Sequence, residues 1–143
     1  MNIIVCLDNN YGMTYNKKRL SRDRKIIDEL RESLRGKVLW INNYSKDLFT
    51  EEEFSENIKI IVDDKFLDKA KDQDYCFVEN NKLSKYKDKI AKVIVYSWNR
   101  TYPSDQKFDI DLFDFEEVEE MGFSGKSHNI IVKKTYEKKR KTK

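Results

Sequence analysis

The sequence predicts an α/β fold of three layers: a mainly parallel sheet between helices, closed by a C-terminal antiparallel strand pair. Two observations carry the prediction. Short apolar runs at 3–7, 38–41, 58–62, 75–78 and 92–97 alternate with helix-compatible segments, and parallel strands need such crossovers. After Pro103 the pattern changes, and two strand-like segments, 115–121 and 130–136, follow each other across Gly122–Ser127.

Ile3–Leu7 is a continuous apolar run, which reads as a central strand buried on both faces and ended by Asp8. Asp8 to Leu20 reads as loop. A helix over 22–35 follows, with Ile26, Ile27, Leu30 and Leu34 on one face, Ser21 as its cap and Gly36 as its left-handed stop. Val38–Ile41 is the second strand, ended by Asn42 and Asn43, and 46–56 reads as a short helix or turn. Ile58–Val62 is the third strand, with a helical turn over Phe66–Lys71. Tyr75–Val78 is the fourth, with a helical stretch over Leu83–Ile90, and Lys92–Ser97 is the fifth. Phe108, Ile110 and Leu112 alternate with acids, as an exposed or edge strand does. Residues 128–141 can be written as strand or helix; the closing pair takes Ile130–Tyr136 as strand.

At 143 residues the chain reads as one domain over 1–136 with a basic tail over 137–143. Charged and apolar residues each make up 38%, and only 4 Gly and 1 Pro are present, which excludes a disordered or loop-dominated chain. No apolar run approaches the length of a membrane span, and no basic segment precedes the first one, so a cytoplasmic protein away from membranes is expected. Cys6 and Cys76 sit in separate strand-like runs and read as reduced, buried thiols. With His128 as the single histidine, no metal is expected, and metal hydrolases built on clustered histidines are excluded, the metallo-β-lactamase type of tRNA-processing nuclease among them.

The charge is uneven. Segment 133–143 holds seven basic residues against Glu137, a net +6, which leaves −3 for the remainder of a chain whose total is +3. Segment 105–120 holds eight acids and one base, Lys107. Lys138, Lys139, Arg140 and Lys141 suit a nucleic-acid or protein partner, and equally a solvated terminus. Asp63, Asp64 and Asp68, close together after a strand, suit a magnesium-dependent nuclease or an acidic exposed turn.

In this order the elements resemble dihydrofolate reductase over nearly the whole chain. CLDNNYGM, Cys6 to Met13, is similar to that family's first strand and mobile substrate loop. LSRD, Leu20 to Asp23, is similar to its Leu-Pro-x-Asp at the first helix. The stretch from Tyr86 to Glu120 parallels the family after its dinucleotide site, with Asp105 and Phe108 as Asp-x-x-Phe and Phe115 and Val118 as aromatic-x-x-Val. Departures fall on the cofactor side. The family holds NADPH phosphates with a Gly-Gly pair after a strand and a Gly-Arg-x-Thr segment after its second strand. The matching places read Glu79-Asn80-Asn81 and Asn42-Asn43-Tyr44-Ser45, and Lys17-Lys18-Arg19 replaces a loop Pro-Trp. NADPH is therefore not expected as a cofactor.

The resemblance implies a pocket that takes a planar ligand, a pterin or nucleotide, near Asp23, the candidate catalytic residue. A carboxyl in an apolar pocket has a raised pKa suited to supporting ring protonation; an acid at a helix start also simply favours the dipole. Cys6, Gly12, Met13, Ile27, Val78 and Tyr96 are the candidate ligand-binding residues, and Ile27, Val78 and Tyr96 also read as core. Gly12 reads as a hinge or a position of positive φ. Tyr96 to Arg100 reads as a ligand edge or a packed strand cap, and His128 as a surface histidine in a turn. The alternative to a ligand pocket is a non-catalytic module that meets nucleic acid or protein through the basic tail or the acidic 105–120 face.

Overall fold

The computed structural model describes residues 1–49 and 57–139. Strand β1 (Asn2–Leu7) lies mid-sheet, parallel to β6 (Tyr75–Phe77) on one side and β7 (Lys92–Ser97) on the other. Its run is apolar throughout because both faces are covered: Ile3, Val5 and Leu7 face one layer and Ile4 the other. Beyond β6 lie β4 (Val38–Ile41) and β5 (Lys59–Val62), also parallel. Beyond β7, β10 (Ile131–Lys138) and β9 (Phe115–Phe123) run antiparallel, giving the order β5-β4-β6-β1-β7-β10-β9. The expected fold class holds, and 131–138 is strand.

Helix α1 (Arg24–Ser33) buries Ile26 and Leu30, with Leu34 just beyond its end, against Leu39, Ile41, Phe77 and Ile94. On the opposite face, α2 (Phe66–Lys69) and the 3-10 turn Ser84–Lys89 carry Phe66, Leu67, Leu83 and Ile90 onto Ile3, Val5, Cys76 and Val93. No helix among the described residues is long and apolar enough to cross a membrane.

Several local expectations are corrected. The segment 8–20 is not a plain loop but holds a hairpin, β2 (Gly12–Tyr15) and β3 (Lys18–Arg19), with β8 (Gln106–Lys107) on its other side in a second, three-stranded sheet. Tyr15 pairs with Lys18, and Asn16 and Lys17 between them have φ of +50° and +63°, the two left-handed residues that a tight hairpin turn needs. The cap of α1 is Asp23 rather than Ser21, and the helix starts at Arg24: the Asp23 carboxylate accepts from Lys25 N at 2.9 Å. Phe108 and Ile110 are not on an exposed strand. They are 8% and 6% exposed core residues, drawn in because Asp109 between them accepts from Leu83 N at 2.8 Å and Ser84 N at 3.0 Å. Gly36 has the expected positive φ, +77°. Gly12 does not, and its reason is space: a Cβ there would lie 2.6 Å from Ser104 Oγ and 2.9 Å from Asp8 Oδ1. The helix or turn expected over 46–56 begins as the 3-10 helix Asn43–Leu48, and residues 50–56 of it lie outside the described residues.

Candidate functional site

A cleft of about 420 Å³ opens over the carboxyl ends of β6, β1 and β7. Ligands bind outside the carboxyl ends of parallel strands where successive crossovers leave on opposite faces. Here the chain leaving β1 runs to α1 on one face, and the chain leaving β6 runs to Leu83 and Ile90 on the other. The floor is apolar: Cys6, Phe77, Val78 and Trp98 at the strand ends, Ile26 and Ile27 from α1, Met13 from β2. Charge rims it, with Arg19, Arg22, Arg24 and Lys126 against Asp23, Asp47 and Glu79. Size and lining match a small-molecule pocket.

Asp23 stands at one edge, with its side chain fully enclosed. Besides capping α1, it accepts from Lys126 N at 3.0 Å, Ser127 N at 2.7 Å and His128 N at 3.2 Å, so it clamps the β9–β10 connection to the start of the helix. Its Oδ2 also lies 3.1 Å from His128 Nδ1. The raised pKa expected for this carboxyl is corrected. Burial does push it up, but the hydrogen bonds from Lys126, Lys25, His128 and Ser127 outweigh burial and bring it from 3.8 down to about 2. Gly125 permits the clamp, since a Cβ there would sit 2.6 Å from Asp23 Oδ2.

His128 is not a surface histidine. Its side chain is 2% exposed, and its ring stacks on Trp98 at 4.7 Å between centroids and 27° between planes. Its Nε2 lies 2.9 Å from the Tyr102 hydroxyl and 3.2 Å from Ser21 Oγ.

The other edge is built on Arg19. Its guanidinium donates to both oxygens of Glu79, from Nε at 2.8 Å and Nη2 at 3.1 Å, and to both oxygens of Asp47 at 3.1 Å. It also donates to Tyr44 O at 3.3 Å and lies 5.1 Å from the centre of the Tyr44 ring. The Glu79 hydrogen bonds hold this guanidinium above its already high ordinary pKa. Ser45 Oγ donates to Glu79 at 2.7 Å, and Asn42 Nδ2 to Asn80 and Asn81 at 2.9 and 3.1 Å. The segments 42–45 and 79–81, which the resemblance matches to phosphate-binding elements, are thus bonded to one another. The arginine that 42–45 lacks arrives from β3.

Of the candidate ligand residues, Cys6, Met13, Ile27 and Val78 line the cleft, and Gly12 and Tyr96 do not. Tyr96 is 1% exposed in the α1 layer, with its hydroxyl donating to Glu29, its ring edge-on to Phe123 and Lys133 Nζ 5.7 Å from the ring centre. Trp98, named within the Tyr96–Arg100 segment, is both buried and part of the lining. Arg19 and Ser21 were not singled out as site residues by the sequence, and no local pattern marks them. Both thiols are free, and burial pushes Cys6 well up and Cys76 up to about 12.

The acids near 63–68 go to separate partners: Asp63 to Lys65 N and Lys69, Asp64 to Asn43 N, Asp68 to the Tyr86 hydroxyl. Among the described residues no group of three or more His, Cys, Asp or Glu could hold a metal ion. Much of the 105–120 charge is used internally, with Asp105 on Asn16 N, Asp109 on Leu83 N, Asp111 on Phe113 N, Asp114 on Lys87 and Glu117 on Lys134. In the tail, Lys138 ends β10 and Lys139 lies over the Phe113 ring, while Arg140 and Lys141 are outside the described residues.

No family model matches the chain, and no curated protein matches it. Solved structures do. Among them is dihydrofolate reductase from Enterococcus faecalis complexed with NADP(H) and RAB-propyl, at 12% identity and a TM-score of 0.63, covering 97% of this chain and 96% of that one. At this identity the likeness is one of fold: the chain has the dihydrofolate reductase fold.

Proposed function

With that fold as the frame, we propose that the chain binds a small planar ligand, a pterin or a nucleotide, in the cleft beside Asp23, and that standard reduction with NADPH is not its activity. The observation that carries the reading is the cleft itself, an apolar floor at the ends of β6, β1 and β7 under a rim of paired and exposed charges. A flat ring finds dispersion contacts on Ile27, Phe77 and Val78, and the rim supplies polar groups to orient its edge. The second half of the proposal draws on the bonds between 42–45 and 79–81. Polar groups that would otherwise meet a dinucleotide's phosphates are engaged with one another there. Glu79, paired with Arg19, stands where the resembling family carries glycine, and a side chain there disfavours the close approach of a pyrophosphate.

Trp98 at the cleft makes binding measurable. Folate, dihydrofolate and a series of nucleotides are titrated while tryptophan fluorescence and the melting temperature are followed, with Trp98→Phe as the control for the other tryptophan, Trp40. Saturable quenching with a rise in Tm is expected for at least one of them. No response to any pterin or nucleotide at millimolar concentration refutes binding, and dihydrofolate-dependent oxidation of NADPH refutes the second half.

A further inference from the structure

Ser21, His128 and Asp23 stand as a nucleophile, a base and an orienting carboxylate. His128 Nε2 is 3.2 Å from Ser21 Oγ, and His128 Nδ1 is 3.1 Å from Asp23 Oδ2, within the reach of an unliganded nucleophile and base. The tautomer follows from the carboxylate. Every other partner of Asp23 is an N–H donor, so toward Nδ1 it is an acceptor as well. Nδ1 then carries the ring proton, and the Nε2 lone pair faces the hydroxyls of Ser21 and Tyr102. The ring is held in place by its stack on Trp98 and by the bond from its own backbone N–H to the same carboxylate.

Burial is graded in the sense that nucleophilic catalysis needs. The side chains of Asp23 and His128 are 0% and 2% exposed, whereas Ser21 is half-buried and lines the cleft. Ser21 lies outside α1, with its side chain free of any capping duty. Arg22 and Lys126, exposed on the same rim, lend positive potential to the space in front of Ser21. Such constellations are recognised by geometry and roles, on any fold and in any chain order.

We propose that this cluster is an acyl-transfer site, with Ser21 as nucleophile, His128 as general base and Asp23 as the residue that positions the imidazole, and that its substrates are small esters with a flat aromatic group. The proposal shares the cleft with the ligand reading above but does not rest on a pterin or nucleotide. Ser21 Oγ bonds to the ester carbonyl carbon while its proton passes to His128 Nε2. The tetrahedral adduct expels the alcohol or phenol oxygen, which takes that proton, and leaves an acyl ester on Ser21. Water then attacks the acyl carbon, giving its proton to Nε2. The bond to Ser21 Oγ breaks, Oγ recovers the proton, and a carboxylic acid leaves, so one ester and one water become one acid and one alcohol. Tyr102 competes with Ser21 for the same lone pair, which makes this a slow site until a substrate displaces that bond.

The full chain is mixed with p-nitrophenyl acetate in stopped flow, and separately with a fluorophosphonate followed by peptide mass spectrometry. A burst of p-nitrophenolate stoichiometric with the chain is expected, together with a phosphonyl adduct on Ser21 in place of the lost fluoride. Ser21→Ala is expected to abolish both and to lower the rate at least ~100-fold while still unfolding cooperatively in urea. Equal hydrolysis by Ser21→Ala and the native chain, or the absence of both burst and Ser21 adduct, overturns the proposal. Neither result bears on whether a pterin or nucleotide quenches Trp98.

Discussion

Asp23 holds two jobs that substitution can separate. Serine caps helices about as well as aspartate, so Asp23→Ser keeps the start of α1 and removes the clamp on 126–128, while Asp23→Ala removes both. The Lys126 and Ser127 amides are partly buried and can turn to water, whereas the backbone N–H and Nδ1 of His128 are buried and lose their partner. Two orphaned donors at about 1–3 kcal/mol each give an expected loss of about 4 kcal/mol for Asp23→Ser, and the lost cap adds about 1 kcal/mol in Asp23→Ala. Part of this is visible as pH dependence. A carboxyl at about 2 in the folded chain against 3.8 otherwise contributes about 2 kcal/mol that is fully present above pH ~4 and lost as pH falls toward ~2. Urea unfolding near neutral pH and in steps down the acid limb reads both quantities. A loss below about 1 kcal/mol in Asp23→Ser, or the same acid slope in variant and native chain, refutes the clamp.

Three further outcomes are expected. Gly125→Ala forces a Cβ toward Asp23 Oδ2 and, at 2.7 Å, the His128 carbonyl; it should lose about 1–3 kcal/mol in urea. Arg19→Met leaves the Glu79 carboxylate, whose side chain is 9% exposed, with Ser45 as its remaining side-chain partner; a loss of about 2–4 kcal/mol is expected by the same assay, and a neutral result would show that the bridge is dispensable. Cys76, buried and held protonated by that burial, should resist Ellman's reagent in the native chain and react in urea; rapid labelling of Cys76 in the folded chain would contradict its enclosure.

The parallel strands were legible because each is a short, largely apolar run, and Val38–Ile41 and Lys92–Ser97 were read to the residue. The β2–β3 hairpin was not. Its strands are only four and two residues long, and its turn carries Lys17 where glycine would have announced a left-handed residue. Phe108 and Ile110 alternate with acids as on an exposed strand, yet the acid between them turns back to cap a distant segment. The pocket floor at Cys6, Ile27 and Val78 was readable through strand and helix position. The pairing of Asp23 with His128 was not, because it spans 105 residues and depends on how the β9–β10 connection folds back over α1. The sign of the Asp23 shift failed for the same reason: apolar surroundings are visible in sequence, whereas four backbone donors converging on one carboxylate are not.

The mutual bonding of 42–45 with 79–81 bears on how the cleft behaves between visitors. Walls whose polar groups already satisfy each other keep their shape when nothing is inside, so a guest meets a mould that is set beforehand. Little of its interaction energy is diverted into ordering the protein, and entry and departure proceed without remaking the edge from Arg19 to Asn81. Such a receptacle is suited to sampling a passing small molecule, and an occupant raises the melting temperature by mass action alone rather than by ordering the walls.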